Sequence, residues 1–363
     1  MKKKLTAMIL ALALSAGILA PVPAYADGIT VEETSMDTAT EKAFDTDYTV
    51  KWDADKVYWN KVTLEQQGIL QIHLNEEDSK SLENYDVAVY TAKGEKIWKI
   101  MMDCAGAAAD NYVGLAKGTY YVSLQSHYQF QPSTTYRFSF EKNNTCEIEP
   151  NEKKNDAVDM KVNTMYTGFM ENTYAGEKDN DDFYAITLKK GQSYKFICDA
   201  DSHKEKTTIV DLVGKKTDIR YSWPSTEADK FCVSSGKVFV APYTGIYYAY
   251  VHNYYGKQYK YKIGVEKISL KAPNVSVSAG KESAKISWSK VNNCSYEVQY
   301  AANSKFQGTK TVNVSGKKRS TAIKHLTSKK KYYVRVRSCV RTDNDSNKKA
   351  YSAWSKVKTV TVK

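Results

Sequence analysis

The sequence is poor in the residues that many enzymes use in their active sites. It has only 5 histidines among 363 residues, and none lies in a His-Glu-x-x-His arrangement. That arrangement places two metal ligands on one helix face, so a metalloprotease of this kind is not indicated. The sequence also has no Gly-x-Ser-x-Gly motif and no glycine-rich phosphate loop. We therefore expect no enzyme; an enzyme whose site is assembled from distant residues is the less favoured hypothesis.

A long hydrophobic run occurs once, at the N-terminus. Three lysines precede a mostly apolar stretch, and Ala24 and Ala26 stand at the positions that a signal peptidase reads. A transmembrane anchor is the alternative, but the run is shorter than the ~20 residues that span a bilayer, and Pro21 and Pro23 interrupt it. We expect residues 1–26 to be a cleaved secretion signal, with no integral membrane association of the mature chain.

Proline is rare, with 7 residues, and clean helical periodicity is scarce. Tyrosine is abundant instead, with 28 residues, and it suits the half-buried face of a sheet. Short alternating segments follow one another between turn residues. About 337 residues remain after the leader, which suits two to three domains. The expected fold class is all-β, with tandem β-sandwiches.

The formal net charge is +12, and it becomes +9 once the three lysines of the leader are removed. We interpret this charge as spread along the chain, with one short run at Lys329-Lys330-Lys331 that suits a solvated loop. An exported protein seldom meets nucleic acid, so no nucleic-acid partner is expected. A weak attraction to an anionic cell wall or an acidic polysaccharide is physically reasonable, and salt would screen it.

The mature chain divides into a lead-in and three modules. The lead-in is polar and is expected to be flexible, and the first two modules repeat one order of segments; the parts are residues 27–46, 47–141, 142–268 and 269–363. The repeat is clearest where Gly245-Ile246-Tyr247-Tyr248 corresponds to Gly118-Thr119-Tyr120-Tyr121. Any two β domains share part of such a pattern, but the repeated Gly-x-Tyr-Tyr favours a duplication.

Four motifs characterise the second module: Glu147-Ile148-Glu149-Pro150-Asn151-Glu152, Asp179-Asn180-Asp181-Asp182-Phe183-Tyr184, Leu188-Lys189-Lys190-Gly191 and Gly245-Ile246-Tyr247-Tyr248. With these motifs it resembles the bacterial pre-peptidase C-terminal domain family. The first module keeps the acidic-aromatic motif around Asp55 and the Gly-x-Tyr-Tyr motif but lacks the Glu-Pro-Asn opening, so it resembles a divergent member. The resemblance implies jelly-roll-like sandwiches of the kind that accompany secreted peptidases.

The third module resembles a fibronectin type III domain. Trp288 stands where the second strand of that family has its core tryptophan. Leu326 and Tyr332 resemble the tyrosine corner, with Val334 and Val336 expected to point inward. The resemblance covers the whole module and implies an immunoglobulin-like sandwich.

Six cysteines lie in the mature chain, where export permits disulfides. Module boundaries reduce the 15 connectivities to one candidate pair for each module. The expected pairs are Cys104 with Cys146, Cys198 with Cys232, and Cys294 with Cys339. Buried free thiols are the alternative, above all for Cys104, whose partner lies in a linker. No Cys-x-x-Cys pair indicates a zinc site or a redox motif.

Acidic residues gather at the start of the second module. Calcium takes six to eight oxygen ligands in flexible geometry, and two converging acidic segments could supply them. In calcium-binding members of the resembled family, an acidic opening segment and an Asp-x-x-Asp pair share the ion. Carried over by position, the candidate ligands of a Ca²⁺ ion are Glu147, Glu149, Asn151, Asp179 and Asp182. The alternative is a solvated acidic linker followed by an Asp-rich turn.

Tyrosines crowd one predicted hairpin of the second module. Alternation sends some of them inward and some outward, and an exposed tyrosine can stack on sugars or pack on extended polypeptides. Some relatives in the resembled family bind collagen in this way. The candidate ligand-binding residues are Tyr250, Tyr254, Tyr255 and Tyr259. Ordinary sandwich packing with scattered exposed tyrosines is the alternative.

These observations favour a monomeric, secreted, non-catalytic binding or adhesion protein, extracellular or loosely associated with the cell surface. The expected ligand is an extracellular polymer, either a matrix protein, a cell-wall polymer or a polysaccharide. The alternative is an accessory protein of a secreted peptidase or another hydrolase.

Overall fold

The computed structural model describes ten segments of the chain. They are residues 29–53, 56–76, 82–104, 108–127, 133–170, 181–200, 208–214, 232–253, 259–342 and 349–363. The expected secretion signal, residues 1–26, lies outside the described residues. Within them no helix has both the length and the apolar character needed to cross a bilayer.

The first module is built from strands whose side chains alternate between its interior and solvent. In the strand from Val57 to Leu64, every second residue is buried, as a half-buried strand requires. The strands of this module are β1 (Ile29–Val31), β2 (Asp47–Val50), β3 (Val57–Leu64), β4 (Gly68–Glu76), β5 (Leu82–Thr91), β6 (Lys96–Cys104), β7 (Ala108–Leu115), β8 (Gly118–Ser126) and β9 (Thr134–Lys142). A 3-10 helix at Met36–Thr38 precedes β2.

Two sheets of the first module enclose one hydrophobic core. Their orders are β1-β2-β9-β4-β7 and β3-β8-β5-β6. Leu70 and Phe138 from one sheet share a single buried cluster with Val89 and Val122 from the other. The segment expected to be a flexible lead-in departs from that expectation, because β1 pairs in parallel with β2 and Val31 is buried in the core.

The second module has the same plan. Its strands are β10 (Val158–Met160), β11 (Met165–Met170), β12 (Asp181–Leu188), β13 (Ser193–Ala200), β14 (Thr208–Gly214), β15 (Cys232–Ser234), β16 (Val238–Val240), β17 (Gly245–Asn253) and β18 (Tyr259–Lys267). The sheets run β10-β12-β17-β14-β15 and β11-β18-β13-β16. The orders β12-β17-β14-β15 and β11-β18-β13-β16 repeat β3-β8-β5-β6 and β2-β9-β4-β7 of the first module. The repeated order of segments read from the sequence is therefore matched by the strand pairing.

The third module closes around an aromatic core. Its strands are β19 (Val275–Gly280), β20 (Ser283–Trp288), β21 (Ser295–Ala301), β22 (Lys310–Val314), β23 (Ser320–Lys324), β24 (Lys331–Arg341), β25 (Lys349–Tyr351) and β26 (Lys358–Thr361). The sheets are β19-β20-β23 and β22-β21-β24-β25, and β26 also pairs with β24. Trp288 packs against Tyr296 with ring centroids 5.3 Å apart, and Tyr332 accepts a hydrogen bond from the Thr327 amide. The expected core residues Leu326, Tyr332, Val334 and Val336 are all buried.

The molecule is thus all-β, and its three cores identify tandem β-sandwiches, which confirms the expected fold class.

The expected disulfides are not formed. Cys146, Cys198, Cys294 and Cys339 are free thiols. Ser295, not Cys294, is the register partner of Cys339. Cys294 lies just outside β21, one residue before the position that pairs with Cys339.

The other two expected pairings are not formed either, since Cys146 and Cys198 are both free. Cys198 lies on β13 and Cys232 on β15, and these strands belong to different sheets of the second module. Cys146 donates its thiol hydrogen to the Asn143 carbonyl, and Cys104 ends the edge strand β6 of the first module.

The four free cysteines can be tested by chemical labelling. Alkylation of the unfolded protein without reductant should label Cys146, Cys198, Cys294 and Cys339 in a tryptic mass map. Reductant should leave Tm unchanged, since the four described thiols form no cross-link that would contribute about 3–4 kcal/mol. A peptide pair joined through Cys294 and Cys339 in the unreduced digest would contradict the structure.

Candidate metal centre between the first two modules

The segment between β9 and β10 contains Glu147, Glu149 and Asn151, and we call it the strap. It joins the first module to the second and is hydrogen-bonded to both. The Glu147 amide donates to the Thr167 carbonyl of β11 at 2.8 Å, and the Glu149 amide donates to the Gly114 carbonyl of β7 at 3.0 Å. A Cβ atom on Gly114 would lie 2.2 Å from the Glu147 carbonyl oxygen, so only glycine allows this approach. The strap therefore holds its acidic side chains in a fixed place between the modules.

Apolar contacts close the same junction. Tyr112 of the first module stacks on Phe169 of the second, with ring centroids 5.3 Å apart and an interplanar angle of 9°. Ile69 and Cys146 complete this small cluster. The junction is consequently a packed interface rather than an open linker.

Three buried carboxylates meet at this junction. Glu147, Glu149 and Asp182 are 1%, 8% and 5% exposed. One carboxylate oxygen from each lies within 4.8 Å of the others. Burying like charges this close is costly unless a cation or protons compensate them, which makes the cluster a candidate cation site.

Hydrogen-bond donors hold two of the carboxylates in place. Glu147 Oε1 accepts from the Phe169 amide at 2.8 Å, and Glu147 Oε2 accepts from the Tyr184 hydroxyl at 3.1 Å. Tyr261 donates to Asp182 Oδ2 at 2.5 Å, and the two tyrosine hydroxyls are 2.7 Å apart. Burial, followed by the nearby carboxylate charges, raises the pKa of Tyr184 and the pKa of Tyr261 well above the ordinary value. Both phenols therefore stay protonated as donors at physiological pH.

Asn151, on the same strap as Glu147 and Glu149, is a further candidate ligand. Its side chain is fully buried, and neither its Oδ1 nor its Nδ2 atom has a hydrogen-bond partner among the residues that the structure describes. Its carbonyl accepts a hydrogen bond from the amide of Phe183, the residue after Asp182, at 2.9 Å. A buried amide without partners costs free energy, and an amide oxygen is a ligand that calcium accepts.

The structure brings together most of the predicted ligands. Glu147, Glu149 and Asp182 form the cluster, Asn151 is buried where the strap reaches the start of β12, and Asp179 lies outside the described residues. The sequence reasoning did not single out Tyr184 and Tyr261 as donors to these carboxylates. Tyr184 is the last residue of the acidic-aromatic motif, two positions after Asp182. This short spacing is the sequence signal that could have indicated its role as a donor.

The predicted tyrosine surface is only partly described. Tyr250 is 6% exposed; its hydroxyl donates to Asp181 at 2.9 Å and its ring packs on Phe183. Its ring is thus covered by its own module rather than presented to a ligand. Tyr254 and Tyr255 lie outside the described residues, and Tyr259 is described only as the first residue of β18.

Comparisons with known proteins add little to the geometry. No family model and no curated protein matches the chain. Two similar solved structures are a myokine structure, at 20% identity with 26% of this chain and 98% of the other covered, and a fibronectin type III domain of human collagen XX, at 21% identity with 26% and 95% covered. Both have a TM-score of 0.21, so neither supports an argument about this protein. The sheets and cores alone define it as a chain of three β-sandwiches with a buried acidic centre at the first junction.

The packing around Gly168 gives a test of this centre. A Cβ atom at this position would lie 2.2 Å from the Tyr261 ring and 2.5 Å from the Tyr184 hydroxyl. We expect Gly168→Ala to displace both donors and to lower the free energy of unfolding by about 1–3 kcal/mol, measured by urea denaturation. Gly118→Ala is the control, because its nearest contact would be 3.3 Å. Equal stability of the two variants would contradict this account.

Proposed function

We propose that this protein is a secreted, non-catalytic binding protein that recognises an extracellular polymer, and that a bound calcium ion joins its first two modules. The buried set of Glu147, Glu149 and Asp182 carries the proposal. The resemblance of both modules to pre-peptidase C-terminal domains, and the secretion signal expected at residues 1–26, agree with it.

Calcium suits the chemistry of this centre. Every candidate ligand atom is a hard oxygen, supplied by carboxylates and by the Asn151 amide, and no cysteine or histidine belongs to the group. Calcium is abundant outside the cell, and extracellular calcium-binding modules have correspondingly weak affinity. A site with three carboxylates is therefore sufficient there.

The position of the centre favours a structural role for the ion. All three carboxylates are at most 8% exposed, so a bound ion would have little open coordination for a substrate. The strap that carries Glu147 and Glu149 is bonded to β11 and to β7. An ion held by this strap and by Asp182 would fix the orientation of one sandwich relative to the other.

Calcium should therefore stabilise the mature protein. We expect millimolar calcium to raise Tm relative to a chelator, with a gain of about 2.7 kcal/mol at a hundred times the Kd. Glu147→Gln and Asp182→Asn should abolish the calcium-dependent rise. Glu266→Gln removes an exposed carboxylate of the same module and should leave the rise intact. An equal Tm in calcium and in chelator would contradict the calcium proposal.

The binding role has its own measurement. The mature protein, incubated with an array of matrix proteins and polysaccharides, should show saturable binding to at least one polymer without turnover. Hydrolysis of an offered substrate would favour an enzyme instead, and an array without any saturable signal would count against the proposed function.

A further inference from the structure

The third module carries a larger positive charge than the mature chain as a whole. Residues 269–363 have 21 Lys and Arg against 4 Asp and Glu, a net charge of +17. Residues 27–141 have 10 against 19, and residues 142–268 have 19 against 18. The expectation of an evenly spread charge is thus wrong, since the chain is acidic at one end and strongly basic at the other.

One face of this module orders its cations along a single strand. Lys331, Arg335, Arg337 and Arg341 are an even number of residues apart on β24, so they point to the same side of the sheet, with Tyr333 and Cys339 between them. Lys349 is the register partner of Arg341 and extends the row onto β25. We call these five basic residues the arginine face. The carboxylate of Glu297, the register partner of Arg337 on β21, lies beside this face.

Aromatic rings hold the central arginines in position. The Arg335 guanidinium lies 4.1 Å from the Phe306 ring centroid and 4.4 Å from that of Trp354. The Arg337 guanidinium lies 4.3 Å from Trp354 and 3.5 Å from Tyr351. Such stacking immobilises a guanidinium and leaves its edge, with its N–H donors, for hydrogen bonding.

Two serines fix Trp354 against the strand. Ser355 Oγ accepts from the Val336 amide at 3.0 Å, and the Ser355 amide donates to the Val336 carbonyl at 2.8 Å. Ser352 makes the same two contacts with Ser338, at 3.0 and 2.9 Å. The segment that carries Trp354 is therefore hydrogen-bonded to β24 on both sides of the tryptophan. These bonds hold the Trp354 ring in place against the two guanidinium groups.

The central charges are only partly compensated. Arg337 is bonded to Glu297 through Nε at 2.7 Å, whereas the acceptor of Arg335 among the described residues is the neutral Gln299 amide oxygen. Partial burial, and then the charge of Arg337, lowers the pKa of Arg335, although an arginine stays protonated at neutral pH. An anion placed here would relieve the repulsion between the two guanidinium groups.

We propose that the arginine face binds a linear acidic polysaccharide, whose carboxylate or sulfate groups pair with the row of cations along β24. Lys331 and Arg341 are ten residues apart, so the row is about 34 Å long, which suits a polymer with repeated charges rather than a small anion. Charge complementarity supports this partner, and the inference rests on the proposed extracellular binding role.

Single-stranded nucleic acid fits the face less well. Proteins that hold single strands offer free aromatic faces on which bases stack. Here Trp354 is packed against two guanidinium groups and is only half-exposed, so little of its ring is available for a base.

The test compares two pairs of substitutions in the full mature chain. Lys331→Gln with Arg341→Gln removes two exposed charges from the arginine face. Lys285→Gln with Lys324→Gln removes two exposed charges from the opposite sheet, at register positions facing Ser278 and Ser283. Kd is measured by calorimetry at low salt for heparin, polygalacturonate, neutral dextran and duplex DNA.

We expect saturable binding of heparin or polygalacturonate, with no binding of dextran. The first pair should weaken this binding about fivefold or more, and the control pair less than about twofold, because position on the face matters beyond total charge. Preference for heparin or for polygalacturonate identifies sulfate or carboxylate as the recognised group.

Three outcomes would overturn the inference. They are equal losses for both pairs, tighter binding of DNA than of either acidic glycan, and binding of neither acidic glycan while another polymer of the array is bound. The last outcome leaves the proposed function intact, whereas the absence of any polymer ligand removes the proposed function itself.

Discussion

The desolvation of three neighbouring carboxylates is the constraint on which the first two modules depend. Glu147, Glu149 and Asp182 are buried together, and like charges in a low-dielectric site repel strongly. Hydrogen bonds from the surroundings offset part of this cost. The Phe169 amide and the Tyr184 hydroxyl donate to Glu147, and the Tyr261 hydroxyl donates to Asp182. The same strap is hydrogen-bonded to both sandwiches. The free energy of burying these carboxylates therefore depends on how the two sandwiches meet.

The third module handles charge in the opposite way. Its cations are spread over a sheet face, and aromatic rings stand beside the two central arginines, Arg335 and Arg337. Half-exposed cations keep part of their hydration, so the module tolerates +17 without an equal number of carboxylates. The chain is thus electrostatically polar along its length, with carboxylates buried at one junction and cations displayed at the far end.

The strand pattern could be predicted from the sequence, because alternation and turn residues are local signals. The repeated Gly-x-Tyr-Tyr segments fall on β8 and β17, which occupy equivalent places in their sheets. Trp288 and Tyr332 lie in the core as expected. Register was not predictable in this way: Cys339 pairs with Ser295, one residue beyond the expected Cys294. Likewise, the cover over Tyr250 comes from Phe183 on a neighbouring strand.

The sequence by itself determined that this protein is all-β, that it repeats one sandwich, and that acidic residues gather at the start of the second module. These features follow from local periodicity and composition. Only the tertiary structure decided that Glu147, Glu149 and Asp182 meet, that Tyr184 and Tyr261 bond to them, and that Trp354 packs between arginines. Such contacts join residues distant in sequence, and strand pairing, rather than the order of residues, sets which of them become neighbours.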